Sequence, residues 1–354
     1  MDNPLSKQAS KQASKQASKQ ASKQHNNCLS LIRIIAALQV AFGHMLEHLQ
    51  LPIDSTVAHA TYFFRGVPIF FVISGFLIWF SIGRSKDYTG YLKKRFWRIY
   101  PELWVAVIIE VIVVAVLYRG WNYKQLLLFT VTQGTILQFW TPSSLRGYGV
   151  GTPNGALWTI GVIIQFYIVA WFVYRLMQKR KLTTWIGGLV ISFVFSLAVE
   201  YVLNNVLKVE VIGKLYDQTF VKYFWLFYIG MFIAEFKDKL LPVLEKYWYV
   251  FLIVAGFFFW TEWDLFSGYW LFWSLFLTAG LIGFAYRFPK LAISTDVSYA
   301  LFLYHMIIMN VFVNFGLIGS WVYGIAVLFL AVVCALVSTV TVGRWADKKK
   351  FLLR

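Results

Sequence analysis

Charge is scarce in this chain, and acid is scarcer still. Charged side chains make up 14% of 354 residues, and 33 Lys and Arg face only 16 Asp and Glu. A soluble protein of this length needs far more polar surface, so a water-exposed globular fold is excluded. Cysteine is nearly absent. Cys28 and Cys334 stand alone, which excludes a disulfide framework and any cysteine-based metal spacing. No Gly-x-Ser-x-Gly elbow occurs, which argues against serine-hydrolase chemistry. No cleavable apolar leader is visible, since residues 1–27 are polar, and the first span is expected to act as the insertion signal. The apolar runs lack the period-two alternation of a lipid-facing barrel.

What is present is apolar sequence: 59% hydrophobic and 19% aromatic residues, in repeated runs close to the length of a membrane span. The fold class that follows is an all-α polytopic integral membrane protein. Candidate spans are 29–48, 62–82, 102–118, 156–176, 184–206, 220–236, 247–261, 268–286, 297–317 and 321–342. The stretch 124–140 is apolar but carries Thr130, Thr132, Gln133, Thr135 and Gln138. If it does not span, four basic clusters share one side: the N-terminal tail, Arg84 to Arg98, Arg175 to Lys181, and Arg344 to Arg354. Glu262 and Asp264 then fall opposite. The positive-inside rule therefore favours ten helices with both termini cytoplasmic. The same clustering explains the net charge of +17 without nucleic acid. Loop 119–155 becomes external, and its Gly, Ser, Thr and Pro content around 141–155 suits a re-entrant or lid segment.

Residues 6–24 read Ser-Lys-Gln-Ala four times and then Ser-Lys-Gln. Such a basic low-complexity tail builds no core and is expected to be disordered. The tetranucleotide AGCA, repeated, encodes this peptide. Gain or loss of one unit shifts the reading frame, so the expectation is a phase-variable bacterial gene.

Arg33 and His44 lie in one apolar run. Ionisable residues at membrane depth are costly and are usually kept for function. Eleven positions separate them, so they share a helical face about 16 Å apart along the axis. Glu47 and His48 follow within one turn of His44. Glu110 and Glu200 fall within other spans and should face the bundle interior.

Five stretches then stand in order. They are Arg33-IIAALQVAFG-His44, Gly66-VPIFFVI-Ser74-Gly75, Lys94-Arg95-FW-Arg98-IY-Pro101, Asn154-GALWTIGVII-Gln165-Phe166-Tyr167, and Ser298-Tyr299-ALFLY-His305. This set, from about residue 28 to 342, resembles the membrane-bound acyltransferase-3 family, which includes O-acetyltransferases of bacterial surface polysaccharide. The resemblance implies three segments: a tail, 1–27; a membrane acyltransferase domain, 28–343; and a basic tail, 344–354. It implies no further extracytoplasmic hydrolase-like domain, since so little sequence follows the last span. In the fourth stretch many relatives carry Glu where this chain has Ile163, so a role for that acid must pass elsewhere, to Gln165 or Glu47, or be dispensable.

The implied reaction moves an acetyl group from acetyl-CoA, the acyl donor, to a hydroxyl of a surface glycan such as lipopolysaccharide. The enzyme would sit in the bacterial inner membrane among lipids, with no metal. The resemblance makes His44, Arg33 and His305 the catalytic candidates. Arg95, Arg98 and Arg33 are the donor-binding candidates, because guanidinium pairs well with phosphate. Trp158, Gln165, Tyr167, Ser298 and Tyr299 are the acceptor-side candidates. Imidazole is neutral near physiological pH and suits a general base. The ordinary roles weigh against each: packing glue for His44 and His305, a snorkelling anchor for Arg33, lipid contact or topology for Arg95 and Arg98, and interfacial belts for the aromatics. The competing functions are a transporter or flippase for a lipid-linked sugar, which would use the same buried pair as a pathway, and an acyltransferase for a secreted polysaccharide. The absence of matching half-repeats argues against transport.

Overall fold

The computed structural model describes residues 27–263 and 270–351. The Ser-Lys-Gln-Ala repeat, Asp264 and residues 352–354 lie outside the described residues. Among the described residues every regular element is helical. The first three are α1 (Leu29–His48), α2 (Ser55–Thr61) and α3 (Gly66–Gly83). Then come α4 (Tyr88–Leu117), α5 (Tyr123–Gln133), α6 (Trp158–Met177) and α7 (Leu182–Tyr201), the last continued by a π-helical turn Val202–Leu207. After these follow α8 (Glu210–Tyr216), α9 (Phe220–Glu235), α10 (Lys237–Thr261) and α11 (Leu271–Arg287). The chain closes with α12 (Ser298–Asn314), α13 (Trp321–Ser338) and α14 (Arg344–Phe351). Among the described residues seven stretches are long and apolar enough to cross a membrane, and α11 and α12 are shorter apolar helices. The protein is an all-α polytopic membrane protein.

Three sequence readings are refined by the structure. The stretch 124–140 forms only the 11-residue α5. At 1.5 Å per residue that is about 16 Å, roughly half a hydrocarbon core. The chain beyond it folds back into the protein instead, burying Leu145, Tyr148, Ala156 and Leu157. Second, the span expected to begin at 102 is part of a longer helix, and Pro101 does not mark its start. It lies inside the continuous α4, which starts at Tyr88 and so carries Arg95 and Arg98 on the same helix. Its ring removes one backbone donor, a loss that neighbouring helices make tolerable in membranes. Third, α10 begins ten residues before the expected span, and its backbone kinks at Tyr247 (φ −114°, ψ 19°).

Among the described residues two large cores organise the bundle, beside a small third cluster of Val114, Phe129, Leu145 and Tyr148. One gathers Phe71, Phe76, Phe166, Trp185, Phe227 and Trp273 from α3, α6, α7, α9 and α11. The other gathers Ala37, Leu103, Leu157, Leu303, Met309 and Ala331 from α1, α4, α12, α13 and the turn before α6. Within the first, α3 and α9 approach backbone to backbone. A Cβ at Gly75 would strike the Phe227 carbonyl, and one at Gly230 would strike the Val72 carbonyl. Small residues permit such close approach where lipid offers no hydrophobic drive between helices. Val67, Phe70, Ile163 and Tyr167 touch both cores and mark the seam between them.

Candidate active site

The seam holds a small cavity of about 60 Å³, lined among others by Arg33, Ser74, Arg98, Ile163, Tyr167, Ser298 and Tyr299. A larger one of about 460 Å³ lies beyond it, with Gln39, His44, Glu47, Tyr62, Arg65, Tyr223 and Trp270 on its wall. Val67 and Phe71 line both, so these two side chains form the partition. The single face expected for Arg33 and His44 thus serves two chambers: Arg33 faces the small one and His44 the large one.

His44 is positioned by a second imidazole. Its Nδ1 lies 3.0 Å from Nε2 of the fully buried His305, with the rings stacked at 5.3 Å and 10°. His305 Nδ1 lies 3.1 Å from the Leu301 carbonyl. A carbonyl only accepts, so His305 must donate from Nδ1, and its Nε2 is then the acceptor. His44 must therefore donate from Nδ1, which leaves its own Nε2 with a free lone pair. The tautomer is set by α12. His305 sits behind His44 as its orienting partner and is absent from the wall of the large cavity.

The small cavity is basic and braced. Arg33 pairs with Asp296 at 2.7 Å, with the two side chains 21% and 20% exposed. Asp296 also accepts from the Ser298 backbone N–H at 3.0 Å and the Ser298 hydroxyl at 2.6 Å. Burial pushes the Asp296 carboxyl up, but the Arg33 and Arg98 charges and the two Ser298 hydrogen bonds outweigh it and hold it below the usual aspartate range. The Arg98 guanidinium lies 5.8 Å from the Tyr299 ring, whose hydroxyl donates to the Ile99 carbonyl at 2.9 Å. Arg95 is outside this lining; it donates to Ser81 Oγ at 3.0 Å and lies 5.8 Å from the Tyr167 ring.

The remaining candidates are dispersed. Gln165 spends both ends of its amide on main chain, donating to the Gln218 carbonyl at 3.1 Å and accepting from the Phe220 N–H at 2.9 Å. Trp158 packs on Tyr223 at 5.5 Å behind the large cavity. Ile163 lines the small cavity, and the carboxylate facing Arg33 there comes from Asp296. Asp296, Arg65 and Gln39 were not singled out from sequence. A lone acid two residues before the Ser298-Tyr299 pair was the one visible signal for Asp296. Glu200 does face the interior, where it meets Lys222 at 3.4 Å. Glu110 is buried with neither oxygen hydrogen-bonded.

The bundle thus sets an imidazole backed by a second one, a group suited to proton transfer, on one chamber, and two guanidinia, groups suited to anions, on the other. Residues 26–340 match the acyltransferase domain of the acyltransferase-3 family, and the chain belongs to that family. It is similar to nodulation protein 10 of Rhizobium leguminosarum bv. viciae, with 28% identity over 326 residues, covering 84% of this chain and 86% of that protein. No solved structure matches the chain.

Proposed function

We propose that this acyltransferase is an O-acetyltransferase that moves an acetyl group from acetyl-CoA to a hydroxyl of a bacterial surface glycan, with lipopolysaccharide as the leading acceptor. The observation that carries the reading is the imidazole pair, which leaves one lone pair, on Nε2, free on a His44 that lines a chamber large enough for a sugar. Chambers of roughly 300–1,000 Å³ are usual for small ligands.

The chemistry follows from that lone pair. His44 Nε2 takes the proton of the sugar hydroxyl as its oxygen attacks the thioester carbonyl. His305 accepts from His44 Nδ1 throughout, steadying the imidazolium that forms. Gln39 is the oxyanion donor in this scheme: its Oε1 is held by the Gly66 N–H at 2.8 Å, which leaves its amide hydrogens to donate. The tetrahedral intermediate collapses to the ester, and the thiolate of coenzyme A leaves and takes the proton from His44. Arg33 and Arg98 hold the phosphates of the donor, with Arg95 nearby. Tyr167, Ser298 and Tyr299 then serve the donor chamber, while Trp158 supports the acceptor wall through Tyr223. Ten crossings with cytoplasmic termini in the inner membrane would present the donor chamber to the cytoplasm, and the acetyl group passes the Val67–Phe71 partition.

The test is mass spectrometry of surface glycans from strains carrying the wild-type or His44→Ala chain. Loss of an alkali-labile acetyl group at unchanged glycan length is expected. Retention of that ester in the variant would end this reading.

A further inference from the structure

The large chamber contains two cations, and they are treated differently. Lys222 is matched by carboxylates, at 2.6 Å from Asp217 and 3.4 Å from Glu200. Arg65 has no carboxylate within ion-pair distance among the described residues; Glu47 lines the same chamber without pairing to it. Its guanidinium rests instead between two rings, 4.9 Å from the Trp270 centroid and 5.8 Å from that of Tyr62. Such stacking leaves the in-plane N–H groups of the fork available for an oxyanion with two oxygens in reach. The start of α3, Gly66 to Pro68, lines the chamber beside it, so the positive end of an 18-residue helix points the same way. Trp270, Trp273 and Tyr223 complete a wall of the amphipathic, flat kind that packs on sugar rings.

We propose that Arg65 is the specificity residue of the acceptor chamber, and that it selects a glycan bearing an oxyanion, a carboxylate or a phosphate ester, next to the sugar that presents its hydroxyl to His44. This rests on the glycan-acyltransferase reading for the fate of the bound sugar, but binding itself does not. An anion at Arg65 would tether the ring from one side while the hydroxyl meets Nε2 of His44 from the other. A neutral sugar would leave the guanidinium unmatched.

The test uses the full-length protein in lipid nanodiscs and scintillation-proximity binding of labelled glucose, glucuronic acid and glucose 6-phosphate. At least one anionic sugar should bind tenfold or more tighter than glucose. Glucuronic acid and glucose 6-phosphate separate a carboxylate from a phosphate preference. Arg65→Gln should erase the gap and Arg65→Lys should keep part of it. Equal binding of all three sugars by the wild-type protein, or a gap that survives in Arg65→Gln, overturns the proposal. The wild-type comparison decides the matter even if a variant fails to fold. Acetyl transfer measured on the same samples separates the two readings. A charge-dependent binding gap without transfer to any sugar would refute the transferase chemistry and leave the site standing. Transfer without a gap would do the reverse.

Discussion

At the scale of single residues, the chemistry depends on which nitrogen carries which proton. The Leu301 carbonyl fixes His305, and His305 fixes His44. His44→Ala should lower kcat by about 10²–10⁴-fold, the range for losing a general base. His305→Ala should lower kcat with little change in acceptor KM, because His305 orients the base and does not line the chamber. His305→Gln, whose Oε1 can accept from His44 Nδ1, should retain more activity than the alanine variant. Steady-state kinetics on purified variants reads both the loss and the ranking. Asp296 makes a different prediction, for stability against pH. Its carboxyl is held below the usual range, so the stabilisation is complete above the unfolded value of about 3.9 and is lost as pH falls through the lower folded value. Asp296→Asn should lower the melting temperature at pH 7, and the gap to wild type should close in strong acid. A constant gap across pH would refute the charge argument. Arg33 and His44 were legible as costly residues in an apolar run. Their partners were not, because each lies more than 260 positions away in the chain.

At the scale of elements, two devices hold the chambers in register. One is the glycine contact between α3 and α9. Gly75→Leu should force the helices apart at Phe227 and lower the yield of monodisperse protein in size-exclusion chromatography. The other is the strap before α6. Asn310 on α12 accepts from the Val150 N–H at 2.8 Å and donates to the carbonyls of Thr152, Pro153 and Met306. Asn154 answers by donating to the Leu303 carbonyl at 2.9 Å. Asn310→Leu leaves buried backbone groups unmatched, at about 1–3 kcal/mol each. Hydrogen exchange at residues 149–154 should accelerate in that variant, and unchanged protection would refute the strap. The irregular composition of this loop marked it as re-entrant or lid-like. Its anchor was invisible because Asn310 sits in the interior of a helix, about 160 positions from the loop, and carries no local turn signal.

At the scale of the whole molecule, the chambers lie where two separately packed cores meet. Basic clusters at alternate helix ends predict that probes at Lys179 and at the C-terminus react from the cytoplasmic side, and a probe at Glu262 from the opposite side. Cysteine-accessibility labelling in intact cells checks this. Labelling of all three from one side would overturn the ten-crossing arrangement. In the ten-crossing arrangement the donor and acceptor would meet across the partition of Val67 and Phe71, which line both chambers. Repeat number at residues 6–24 adds an expression-level prediction: single colonies should differ in tract length and in glycan acetylation together.

The sequence by itself determined the solvent and the class. Apolar runs near span length leave the backbone no partner in lipid except its own helix, and five ordered motifs pointed to the acyltransferase family. Tertiary structure decided the site. Only packing brings α12 against α1, so that a carbonyl at 301 sets the tautomer at 44. The same packing lets Asp296 engage Arg33 and, among the described residues, leaves Arg65 without a carboxylate. Helical spacing reports which residues share a face, but not which chamber that face meets, because that depends on how two cores join.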